Sequence, residues 1–158
     1  MAFHDNEQLY RRLIDEVFNQ GHLDVADEII APECVEHQRG GLGDGPEGAK
    51  RTAKVLRSAF PDFTLTIEDL VVDGDKVWAR QRGGGTNLGN FFGFPPSGKT
   101  AYIEVYDVVR FEHGKMVDHW GVPDQLGMLM QLGHVAPGPP PPPPTPVWPP
   151  PRPAPVSA

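Results

Sequence analysis

The chain has 158 residues and carries 21 acidic against 14 basic side chains, a net charge of −7. That balance argues against a nucleic-acid partner, because phosphate binding needs clustered Lys and Arg. A lone cysteine, Cys34, rules out an intrachain disulfide or a multi-cysteine zinc site.

Apolar residues at Leu9, Leu13, Ile14, Val17 and Phe18 recur with the spacing of one helical face and predict a helix from Asp5 or Asn6 to a stop at Gly21. Leu23, Ala26, Ile29 and Ile30 predict a second short helix, ended at Ala31-Pro32 because the residue before proline leaves the α region. The polar, glycine-rich stretch from Val35 to Gly45 reads as a loop. A third helix follows, with Pro46 in its first turn and Ala49, Ala53, Leu56 and Phe60 inward.

After Pro61-Asp62 the period falls to two. Phe63, Leu65 and Ile67, then Leu70 to Val72, predict strands ending at the hairpin turn Asp73-Gly74-Asp75. Val77 to Arg82 and Thr100 to Phe111 alternate as long antiparallel strands, and Glu112 to Lys115 turns the chain into Met116 to Trp120. A last helix is expected over Asp124 to Leu132. The sum is an α+β domain over residues 1–134, a strongly curved antiparallel sheet wrapped around the N-terminal helices and enclosing an apolar cavity. Residues 135–158 form a proline-rich tail expected to be a disordered, solvated extension, or else a docking segment for a proline-motif-binding partner through Trp148 and Arg152.

No apolar run nears the ~18 residues that span a bilayer, and the N-terminus lacks the regions of a signal peptide. A cytoplasmic protein without membrane attachment is expected. Gly43 to Gly48 matches the letters G-x-G-x-x-G but follows no strand, so the dinucleotide reading fails. The six histidines include no pair at metal-ligand spacing, and neither metal nor cofactor is expected.

The run Asp118 to Asp124 is the richest in chemistry. Alternation puts His119 and Gly121 on one face and Asp118 and Trp120 on the other. Asp124 has two readings, N-cap of the last helix or a pocket carboxylate of raised pKa acting as general base. His37 begins the glycine-rich loop and could reach a ligand. Asn87 could donate to a ligand carbonyl, and Phe91 and Phe92 could close a hydrophobic rim.

Glu16 to Asp24, Gly45 to Gly48, Gly93 to Gly98 and Gly114 to Trp120 with Pro123-Asp124 together resemble the SnoaL-like polyketide cyclase or ester cyclase family of the NTF2-like superfamily, over about residues 6 to 133. The resemblance implies a cone-shaped α+β barrel, commonly a homodimer. It implies that Asp124 is the acid/base catalyst of an intramolecular aldol closure on a carbonyl-rich substrate, without a cofactor. Asp107 stands where the cyclases carry a histidine near that aspartate, and Asn87 where many relatives carry histidine. His119 and Asn87 would then orient substrate oxygens, Asp107 would be an extra carboxylate beside Asp124, and Trp120, Phe91 and Phe92 would sandwich a flat ligand. A binding module without turnover, or hydrolase or hydroxylase chemistry on the same scaffold, are the alternatives.

Overall fold

The computed structural model describes residues 2–143, with side chains from residue 5 onward. Trp148 and Arg152, the expected anchors of the tail, lie outside the described residues. Those at 136–143 are exposed.

Helix α1 (Ala2–Arg12) runs on into a π-wound segment (Leu13–Asn19), whose Leu13, Ile14 and Val17 are buried. The wider winding ends two residues before Gly21, which takes a φ of 78° that a side chain would strain. Helix α2 (Val25–Ile29) is a single turn and a half. Helix α3 (Gly45–Ala59) begins with proline in its first turn, as its sequence predicts.

Five strands make one sheet in the order β1-β5-β4-β3-β2. Strand β1 (Ile30–Glu36) corrects the expectation that Ile30 closes a helix and that Val35 opens a loop. It lies at the sheet edge and runs parallel to β5 (Lys115–Pro123), so the sheet is mixed rather than wholly antiparallel. Proline is tolerated there because an edge strand leaves one row of backbone groups unpaired. Strands β2 (Thr64–Asp73), β3 (Lys76–Thr86) and β4 (Thr100–Glu112) form the antiparallel meander.

Two details of register adjust the sequence reading. The two short strands expected before Asp73 are one strand, with a bulge between Ile67 and Asp69 that resets which side chains point inward. Gly83, Gly84 and Gly85 belong to β3 and pair with Ile103, Tyr102 and Ala101, instead of opening a loop. A Cβ on Gly84 would collide with the Ala101 carbonyl, and one on Gly85 would stand 2.6 Å from Asp62 Oδ1. Glycine therefore serves close approach here.

The inner face of the sheet carries Val77 and Ala79 of β3, Ala101, Val109 and Phe111 of β4 and Met116 of β5, all buried. They pack with Leu13, Ile14, Val17, Ile29 and Phe60 from the helical side in a single core. Helix α4 (Gln125–Leu132) lies beside β4 past the end of β5, and the Gln131 side chain bonds both backbone groups of Tyr102. No helix among the described residues is long and apolar enough to cross a membrane.

Candidate active site

Between helices and sheet lies a cavity of about 160 Å³. Most of its wall is apolar, with Leu13, Ile14 and Phe18 from the π-wound segment, Leu56 from α3, and Leu65 and Ile103 from the sheet. Its charged lining residues are Glu36, Asp107 and His119, and neither Lys nor Arg lines it.

These groups are wired together. Asp107 sits at the inward parity of β4, where an apolar residue would be the default, and its Oδ2 accepts from the Tyr10 hydroxyl (2.9 Å) and Gln81 Nε2 (2.7 Å). His119 Nε2 stands 3.4 Å from Asp107 Oδ1, and its Nδ1 lies 2.8 Å from Glu36 Oε2. Glu36 in turn accepts from the Gln38 backbone N–H. The cluster thus draws on α1 and on β1, β3, β4 and β5.

Electrostatics follow from this wiring. Burial alone would lower the His119 pKa, but hydrogen bonds and charge from Asp107 and Glu36 outweigh it and push the imidazole up to about 10. Burial opposes ionisation of Asp107, yet His119, Tyr10 and Gln81 hold its carboxyl below the ordinary value. The Tyr10 hydroxyl is raised well above its ordinary range by burial and by the Asp107 charge. At neutral pH the cluster therefore contains an imidazolium held between two carboxylates. Cys34 also lines the cavity, and burial followed by nearby carboxylates pushes its thiol up to about 12, so it is a neutral wall residue.

Gly121 stands between Gln38 and Asp107. A Cβ on Gly121 would collide with Gln38 Oε1 and would stand 3.0 Å from Asp107 Oδ1. Glycine at that inward position of β5 makes room for the Gln38 side chain beside the carboxylate.

Of the residues singled out from sequence, Asp107, His119, Phe91 and Phe92 line the cavity. Four others do not. Asp124 is exposed and caps α4, its Oδ1 accepting from the Gly127 N–H at 2.8 Å, which corrects its assignment as a pocket carboxylate. One orphan donor of the first helical turn holds that oxygen. Asn87 is fully buried but spent on backbone, bonding the Gly89 carbonyl and the Ser97 N–H and so fastening the loop between β3 and β4. His37 and Trp120 stack on each other outside the cavity, ring centroids 4.5 Å apart, and His37 Nε2 meets Asp118 Oδ1 at 2.7 Å. Alternation along β5 turns Trp120 outward whenever His119 points in.

Sequence reasoning missed Tyr10, Glu36, Gln38 and Gln81. Gln81 had a readable signal, a polar side chain amid the inward series Val77, Ala79, Gly83. Tyr10 sits on the same helical face as Leu13 and Ile14. Glu36 had none, because β1 itself was not foreseen. Among the described residues no group of His, Cys, Asp and Glu is arranged to hold a metal ion.

An α+β arrangement of helices against one sheet, with an apolar cavity between them and charged side chains at one end of it, is an NTF2-like architecture. The sequence profile of SnoaL-like polyketide cyclases matches residues 8–132, and the chain belongs to that family. It is 31% identical over 138 residues to the aklanonic acid methyl ester cyclase DauD of Streptomyces sp. strain C5, covering 83% of each chain. The nogalonic acid methyl ester cyclase of Streptomyces nogalater is 28% identical over 73% of this chain and 89% of its own. Among solved structures, TsrD from Streptomyces laurentii superposes with a TM-score of 0.78 at 30% identity, covering 85% of this chain and 99% of TsrD.

Proposed function

We propose that this protein closes a ring in a polyketide-like, carbonyl-rich small molecule by acid/base catalysis, with no cofactor in the step. The observation that carries the reading is the partly buried chain Glu36–His119–Asp107 at the polar end of an otherwise apolar cavity. The family and its named cyclases support the substrate class.

Asp107 lines the cavity, and its carboxylate takes a proton from a carbon flanked by two carbonyls. Such a carbon is acidic enough for a carboxylate of low basicity, because the enolate charge spreads into the substrate. The enolate carbon attacks a second carbonyl of the same molecule, forming the ring bond. His119 Nε2–H has only a 3.4 Å partner in Asp107, so its proton is available to the developing alkoxide without movement of the ring. Protonated Asp107 then returns its proton to His119 Nε2, and both groups are restored. Glu36 keeps the His119 Nδ1–H engaged throughout and fixes the ring.

Asp107→Asn tests the assignment. The amide can still accept from Tyr10 and Gln81, so the fold is expected to persist, while ring closure of a linear methyl-ester substrate falls by about a hundredfold or more. Retained turnover in the folded variant would end the proposal.

We also infer that two copies pair through the outer face of the sheet. Val71, Trp78, Val108 and Trp120 are successive register partners across β2, β3, β4 and β5, forming one apolar row. Trp78 is 52% and Val71 62% exposed. Ion-paired Arg80 and Arg110 flank the row on either side, an apolar centre with a charged rim. Trp78→Glu is expected to shift sedimentation from dimer to monomer with the fold intact. An unchanged dimer would place the contact elsewhere.

A further inference from the structure

The cavity is too small for the molecules its family suggests, and the excess has somewhere to go. An enclosed space of about 150 Å³ holds roughly one benzene ring, so the inner chamber of about 160 Å³ takes a single-ring fragment. Outside it lies a second recess of about 210 Å³ bounded by Gly40, Phe91, Phe92, Phe94, Gln125 and Leu129. Gly40, Phe91, Phe92 and Gln125 border both spaces, so the two adjoin at the mouth that these residues form.

Phe92 stands at that mouth at a conformational cost. Phe91 and Phe94 exchange both backbone hydrogen bonds, making a two-residue hairpin turn with Phe92 at φ 46° and Gly93 at φ 90°. A turn of this hand favours Asn followed by Gly, and a bulky aromatic residue at positive φ is an outlier. The ring is not there to be buried either, since Phe92 is 46% exposed. It is held by an edge-to-face series, Phe60 on Phe91 at 5.3 Å and Phe91 on Phe92 at 5.0 Å, that runs from core to rim. Strain kept at a cavity mouth, in a residue whose packing and turn chemistry both favour something else, marks a ligand contact.

We infer that the outer recess is a second subsite and that Phe92 is its specificity-determining residue, stacking on the flat, conjugated part of the substrate that takes no part in ring closure. The reactive, carbonyl-bearing end enters the inner chamber toward Asp107 and His119. This rests on the cyclase reading only for what fills the inner chamber.

The test is binding of chrysazin, a planar dihydroxyanthraquinone, followed by quenching of protein fluorescence, with melting temperature measured on the same samples. Phe92→Asn is expected to melt higher than the parent protein, because the turn is relieved, and to bind chrysazin roughly tenfold more weakly. Phe92→Tyr keeps a ring and is expected to bind like the parent. Acetophenone, one ring and small enough for the inner chamber, is expected to bind all three alike. Parent-like chrysazin affinity in Phe92→Asn, its loss in a folded Phe92→Tyr protein, or no chrysazin binding by the parent overturns the inference. If Asp107→Asn abolishes turnover while Phe92→Asn binds normally, the subsite falls and the cyclase reading stands. Weakened chrysazin binding in Phe92→Asn from a protein that never turns over does the reverse.

Discussion

His119 Nδ1 lies 2.8 Å from Glu36 Oε2 on the neighbouring parallel strand, and Asp107 at the other ring nitrogen together with this pairing makes the imidazole a cation inside an apolar cavity. It therefore ties stability to pH. The folded-state pKa of about 10 lies above the ordinary 6.5, so the contribution is complete below about pH 6.5 and is lost as pH rises toward 10. The stability gap between the parent protein and His119→Gln in urea denaturation should be widest near pH 6 and close on the alkaline side. A gap that widens with pH would show that His119 is neutral when folded.

Asp107 supplies the opposite limb. Its pKa is depressed, so its contribution is present above the ordinary carboxylate value and is lost as pH falls through the lower folded one. Tyr10→Phe removes one of the donors responsible. Loss of this buried hydrogen bond should cost about 1–3 kcal/mol and move the acid limb of the rate profile to higher pH. An acid limb that stays put would mean Tyr10 packs without tuning the carboxylate.

Asp124 distinguishes capping from catalysis. Asp124→Ala should cost about 1 kcal/mol in thermal or urea denaturation, through loss of the bond to Gly127, and leave kcat within a few-fold of the parent. A collapse of kcat with unchanged stability would return Asp124 to the chemistry.

The elements that were legible in the sequence are those specified locally. Period 3.6 located the first, third and fourth helices, and Asp73-Gly74-Asp75 with Glu112 to Lys115 marked both hairpins. Strand β1 was not legible because its partner β5 lies more than 80 positions away, Val35 opposite Asp118, and because Pro32 mimics a helix stop. The same division holds in the site. Alternation put His119 on the face opposite Trp120, but nothing local announces that Glu36 will sit beside it. The Pro-Asp step before α4 drew attention to Asp124, where the demand of a helix start for an acceptor wins over the cavity.

Glu36 on a parallel edge strand has a wider consequence. Its only neighbour in the sheet is β5, the last strand, so the first and final thirds of the polypeptide must meet before any acid/base cluster exists. A shortened version ending at Glu112 would forfeit His119 and also the template on which β1 is laid down. The Glu36–His119–Asp107 cluster is thus an all-or-none product of completed folding, and no half-synthesised fragment that stops short of β5 should assemble it.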